Sequence, residues 1–180
     1  MIPVGYMAKR VVSRPEWLKA PAVVDIFSVS NEMSPDFAEY ITLWKHNGYW
    51  FFDSPDIIRQ LAEERSIDLM GTTLFYYEVY ELEFDDAENK WRPCYPEPSF
   101  TTNVIAPARK NLEGYDVVTF CMGNEPEDSP LSCNGLATRI ETNRHCLIES
   151  IDQAKQSVEE GKFRNSEPGP YRIFAVYSLE

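Results

Sequence analysis

Three side chains in this sequence have the type and placement that acid–base or nucleophilic chemistry requires: Cys133, His145 and Glu78. Cys133 lies in the run Ser129-Pro130-Leu131-Ser132-Cys133-Asn134-Gly135, a tight-turn composition just ahead of a helical pattern carried by Leu136, Ala137 and Ile140. Backbone N–H groups at such a place stabilise a thiolate. His145 follows twelve residues on and can serve as its base, with Asn134 or Asn143 orienting the imidazole. That constellation would support a thiol-dependent hydrolase or transferase. Its spacing matches none of the cysteine-protease signatures. The competing assignment makes Cys133 a small buried hydrophobe and Asn134-Gly135 a turn, and it is the one expected here.

Glu78 stands out for a different reason. In an extended chain over residues 74–84, Leu74, Tyr76, Glu78, Tyr80, Leu82 and Phe84 share one face, while Glu81 and Glu83 point to the other. Glu78 therefore interrupts an otherwise apolar face. A carboxyl held there would have a raised pKa, suited to a general acid or base. A bulge that turns it outward, an edge position, or a pairing with an arginine such as Arg172 would make it structural instead. No second carboxylate is placed to form a glycosidase-like pair.

Metal and cofactor chemistry is not expected. Cys94, Cys121, Cys133 and Cys146 are separated by 27, 12 and 13 residues, with no C-x-x-C and only His46 and His145 to complete a site. His145 and Cys146 are adjacent and would face opposite ways in a strand. Asp85, Asp86 and Glu88 lack the alternation of a calcium loop. Gly5, Gly48, Gly71 and Gly114 are isolated, so no phosphate-cradling loop is present.

Charge narrows the partners. The 29 acidic residues outnumber the 17 basic ones, for a net charge of −12, and aromatic residues make up 13% of the chain. The excess is concentrated in the middle: residues 53–97 carry −8, while residues 1–19 carry +3. Such a field repels nucleic acid and anionic lipid and favours a cationic partner. The acidic middle reads either as a solvated face that keeps the protein monodisperse or as a docking surface for a cationic protein, which Glu81, Glu83, Asp85, Asp86 and Glu88 would form. No stretch of eighteen apolar residues and no signal-type apolar run in residues 1–12 occur, so a reduced, cytoplasmic protein away from the membrane is expected, as monomer or homodimer. These properties suit a non-enzymatic binding module of inhibitor or immunity type, acting on a basic protein partner.

The elements that must position these residues follow from caps and periodicity. Residues 4–12 and 22–30 read as strands. Ser34-Pro35-Asp36 and Ser54-Pro55-Asp56 repeat one helix-start signal. The first opens a stripe of Phe37, Tyr40, Ile41 and Trp44 that Gly48 would end; the second opens Ile57, Ile58, Leu61 and Ala62 and ends near Arg65. Residues 72–84 and 90–95 form a hairpin around the acidic turn 85–89, and residues 115–121 form a further strand. Ser150 with Gln153 makes a capping box for a helix that Gly161 ends, and residues 171–178 form a last strand. Strands and helices interleave without a β-α-β rhythm. The expected fold is a single α+β domain over residues 1–180: a mixed or mainly antiparallel sheet with about three helices covering one face.

Overall fold

A computed structural model of the chain describes residues 1–30, 47–94, 103–121 and 126–179. Strands β1 (Ile2–Lys9), β4 (Thr73–Asp85), β6 (Asn111–Thr119) and β7 (Tyr171–Ser178) build the main sheet in the order β1-β4-β7-β6. Strand β5 (Lys90–Pro93) folds back on the far end of β4 as the hairpin partner expected from the acidic turn. Every pairing in this sheet is antiparallel. A separate two-stranded ribbon joins β2 (Val12–Ser13) to β3 (Asp25–Ile26).

Two helices lie among the described residues, α1 (Pro55–Arg65) and α2 (Ile151–Glu159). Both start as the cap signals require. The Ser54 hydroxyl accepts from the Ile57 N–H at 3.4 Å with Pro55 following it, and the Ser150 hydroxyl accepts from the Gln153 N–H at 3.3 Å. Helix α1 ends at Ser66 in the left-handed conformation (φ 56°), and Gly161 (φ 73°) follows α2. The helix expected from Ser34-Pro35-Asp36 lies outside the described residues. In the turn that follows, Trp50 is left-handed (φ 66°) and its N–H closes on the Asn47 carbonyl at 2.9 Å.

The two helices cover opposite faces of the sheet, where one covered face was expected. Alternation along β7 explains this. Phe174 and Val176 enter a core with Val118, Phe75, Tyr77, Val79 and the α1 residues Ile58, Leu61 and Ala62. Tyr171 and Ile173 enter a second core with Val117, Phe84 and the α2 residues Ala154 and Val158. The central strands are thus buried on both sides over most of their length.

The expected strand over residues 22–30 shrinks to Asp25–Ile26. Its backbone groups find partners elsewhere: Val24 N–H donates to the Arg144 carbonyl at 2.7 Å and Phe27 N–H to that of His145 at 3.1 Å. The carbonyls of Ser28, Val29 and Ser30 converge on the Lys9 ammonium at 2.8, 2.8 and 2.7 Å. Burial made this segment apolar, and non-ladder hydrogen bonds made its burial tolerable.

Among the described residues, an isolated backbone bridge lies on each of β1 and β6. Tyr6 on β1 bridges Phe52, and Tyr115 on β6 bridges Ile148. A glycine marks each crossing, at a shift in ladder register. A Cβ on Gly5 (φ 139°) would sit 2.6 Å from the Phe52 carbonyl, and one on Gly114 (φ 142°) 2.9 Å from that of Ile148.

Candidate functional site

The antiparallel register places two rows of side chains side by side on one sheet face. Tyr6, Tyr76, Tyr177 and Leu112 lie opposite one another across β1, β4, β7 and β6; Pro3, Glu78, Ala175 and Tyr115 make the neighbouring row. The tyrosine rings follow one another at centroid separations of 5.1 Å (Tyr6 to Tyr76) and 5.6 Å (Tyr76 to Tyr177). Glu78 is the one acid in the two rows. Tyr76 donates to its Oε1 and Tyr177 to its Oε2, each at 3.1 Å, and the Lys110 ammonium also bonds Oε1. The same ammonium lies 4.1 Å from the Tyr177 ring centroid and 4.7 Å from that of Tyr76. A carboxylate and two π faces thus surround one cation.

The raised pKa expected of Glu78 does not arise. Burial pushes it up, but the hydrogen bond and charge of Lys110 and the two phenol donors outweigh burial and hold it below its ordinary value. Burial, together with the adjacent Glu78 charge, raises both Tyr76 and Tyr177, so the phenols remain donors. A fixed anion with fixed donors is suited to holding a cation and unsuited to shuttling a proton. Its partner is Lys110, where an arginine such as Arg172 had been considered.

Cys133 and His145 have separate neighbours. The imidazole Nδ1 lies 2.5 Å from Asp25 Oδ1 and Nε2 lies 3.5 Å from Glu113 Oε2, while the ring stacks on Phe27 at 4.0 Å. Asn143 serves the loop backbone, accepting from the His145 N–H at 2.9 Å and donating to the Glu113 carbonyl at 2.6 Å. Asn134 donates outward to Glu167 at 2.9 Å. The half-buried Cys133 sulfur has Ser30 Oγ at 3.7 Å and Ser132 Oγ at 3.8 Å; among the described residues His145 is not one of its hydrogen-bond partners.

The acidic hairpin is largely committed to its own chain. Glu83 is only 6% exposed and bonds Arg172 at 2.9 Å and Arg92 at 2.8 Å. It pairs with Arg172 on the sheet face of Phe174 and Val176, so the face opposite Glu78 is covered too. Asp85 accepts from Arg92 at 2.7 Å and from the Ala87 and Glu88 N–H groups at 3.1 and 3.0 Å, so it shapes the turn. Glu88 pairs with Lys90, and Asp86 lies against Gly169. Glu81 and Glu88 are exposed and Asp86 is half-buried. Arg172, itself 4% exposed, lies with its guanidinium carbon 4.0 Å over the Phe120 ring.

A buried polar group escaped the sequence reading altogether. Asp116 accepts from the Ser129 hydroxyl at 2.6 Å and the Val29 N–H at 2.8 Å. Burial pushes its pKa up to about 6, against the opposing pull of those donors and of Lys9. The signal was available: Asp116 breaks the apolar run from Tyr115 to Val118, as Glu78 breaks its own strand. A polar cleft of about 360 Å³ beside α2 is lined by Arg139, Glu141, Gln153, Gln156, Glu160 and Lys162, among others. Among the described residues no group of three His, Cys, Asp or Glu side chains is placed to hold a metal ion.

Comparison of the chain with protein-family models, with curated proteins and with solved structures finds no match. No helix among the described residues is long and apolar enough to cross a membrane.

Proposed function

We propose that this chain is a non-enzymatic binding module for a basic protein partner, of inhibitor or immunity type. The observation that carries the reading is the acidic excess, a net charge of −12, whose exposed members include Glu81, Glu88, Glu149, Asp152, Glu159 and Glu160. A field of that sign accelerates encounter with a cationic surface and disfavours anionic ones. The docking set narrows from five hairpin carboxylates to Glu81, Asp86 and Glu88, since Glu83 and Asp85 are held by arginines.

The test is affinity capture with the full chain as bait, mass spectrometry of the retained proteins, and association kinetics of the captured partner across ionic strengths. The captured protein should be basic, association should slow as salt rises, and Glu81→Gln with Glu88→Gln should lower the rate and flatten its salt dependence. Rates that ignore both salt and the substitutions would refute the reading.

A further inference from the structure

The cage on the sheet face already holds an ammonium group, and that group comes from a segment outside the sheet ladders. Glu78, Tyr76 and Tyr177 stand on β4 and β7, the two central strands, where both ladders fix their positions. Lys110 belongs to the irregular segment 103–110 that leads into β6, most of whose residues are exposed. That segment is tied down by the Tyr6 hydroxyl donating to the Ile105 carbonyl at 2.5 Å and by the Asn103 N–H donating to Asp53 at 3.4 Å. A receptor fixed by two ladders, with an occupant that comes from outside them, is what an exchangeable binding site requires.

We propose that the cage of Tyr76, Tyr177 and Glu78 receives a lysine side chain of the basic protein partner, and that Lys110 occupies it until the partner arrives. The inference rests on the binding-module reading and names the site that reading lacks. Three observations converge on it. The ammonium position lies 4.1 and 4.7 Å from two ring centroids, within the range of cation–π attraction. The Glu78 carboxylate accepts an N–H from the occupant as well as the two phenol hydrogens, so it selects an ammonium that carries at least one hydrogen. An apolar rim adjoins the cage: Leu112, opposite Tyr177, is 48% exposed and Ile105 is 80% exposed. Residues flanking the incoming lysine would cover that rim, which gives the partner contacts that Lys110 alone does not make.

The probe is n-butylammonium, a lysine side chain without its backbone, titrated into wild type and Lys110→Ala while the Tyr76 and Tyr177 ring resonances are followed by NMR. If Lys110 fills the cage nine-tenths of the time or more, removing it tightens butylammonium binding about tenfold or more. Adding Glu78→Gln to Lys110→Ala should abolish that gain. Tetramethylammonium, with the same charge and no N–H, should bind Lys110→Ala more weakly than butylammonium does. Equal affinity of wild type and Lys110→Ala, or a gain that survives Glu78→Gln, overturns the proposal. Circular dichroism checks the fold of each variant, and Lys110→Gln makes the same comparison if the alanine variant does not fold. A captured basic partner that binds Glu78→Gln as tightly as wild type overturns the cage and leaves the module reading standing. Selective butylammonium binding without any basic partner shows that the cage takes an ammonium, but overturns both the module reading and a partner lysine as the occupant.

Discussion

Replacing Asp116 by Asn removes an ionisable group without removing the acceptor that the Ser129 hydroxyl and the Val29 N–H use. Burial raises the Asp116 pKa from 3.8 to about 6. Between those values the native state retains a proton that the unfolded chain releases. The stability this group contributes is therefore complete below about pH 4 and is lost as pH rises through about 6. A shift of about two units corresponds to on the order of 3 kcal/mol. The assay is urea unfolding of wild type and Asp116→Asn at a series of pH values, with the two free energies subtracted at each. Subtraction cancels the other carboxylates, including Glu78, whose lowered pKa makes its own contribution run the opposite way. The expected difference falls by about 3 kcal/mol, to the disadvantage of wild type, between about pH 4 and pH 6.5, then levels off. A difference that is flat across this window, or that rises with pH, would refute the account of Asp116 as a carboxyl whose burial outweighs its donors.

Other expectations concern β4, the strand that carries Glu78, Glu81 and Glu83. Glu83→Gln leaves the buried Arg172 without its counter-charge and should cost about 3–5 kcal/mol in urea unfolding, whereas Glu81→Gln on the exposed stretch of the same strand should stay within about 0.5 kcal/mol. Similar costs for the two would contradict the buried pair. Glu78→Gln should lower the ionisation range of Tyr76 and Tyr177 in a spectrophotometric titration, because the adjacent negative charge is part of what raises it; an unchanged titration would separate the phenols from the carboxylate.

What the sequence disclosed depended on how local the cause was. Helices α1 and α2 were legible because Ser54-Pro55-Asp56 and the Ser150–Gln153 pair act within one turn. The β4–β5 hairpin was legible because strand period and turn composition lie within one short stretch. Residues 22–30 were read as a strand because apolar composition reports burial, while the Lys9 ammonium that satisfies its last carbonyls comes from β1. Glu78 was visible as an anomaly in its strand. Lys110 was not visible as its partner, because it lies 32 residues away in a segment without periodicity. Glu83 was misplaced for a related reason: alternation separates the two faces of a strand but does not say whether both are covered, and here both are.

The bridges Tyr6–Phe52 and Tyr115–Ile148 bear on how this molecule meets others. An open sheet ends in two rows of unpaired amides and carbonyls, which invite another chain to dock as an extra strand and, repeated, to polymerise. Here both borders are occupied near their middle by the protein's own backbone, at points where Gly5 and Gly114 admit close approach. A foreign strand could pair for only a few residues on either side before meeting the crossing segment. Along β1 and β6 recognition is thereby left largely to side chains standing on the sheet and its loops, and backbone templating between copies is interrupted at the two crossings.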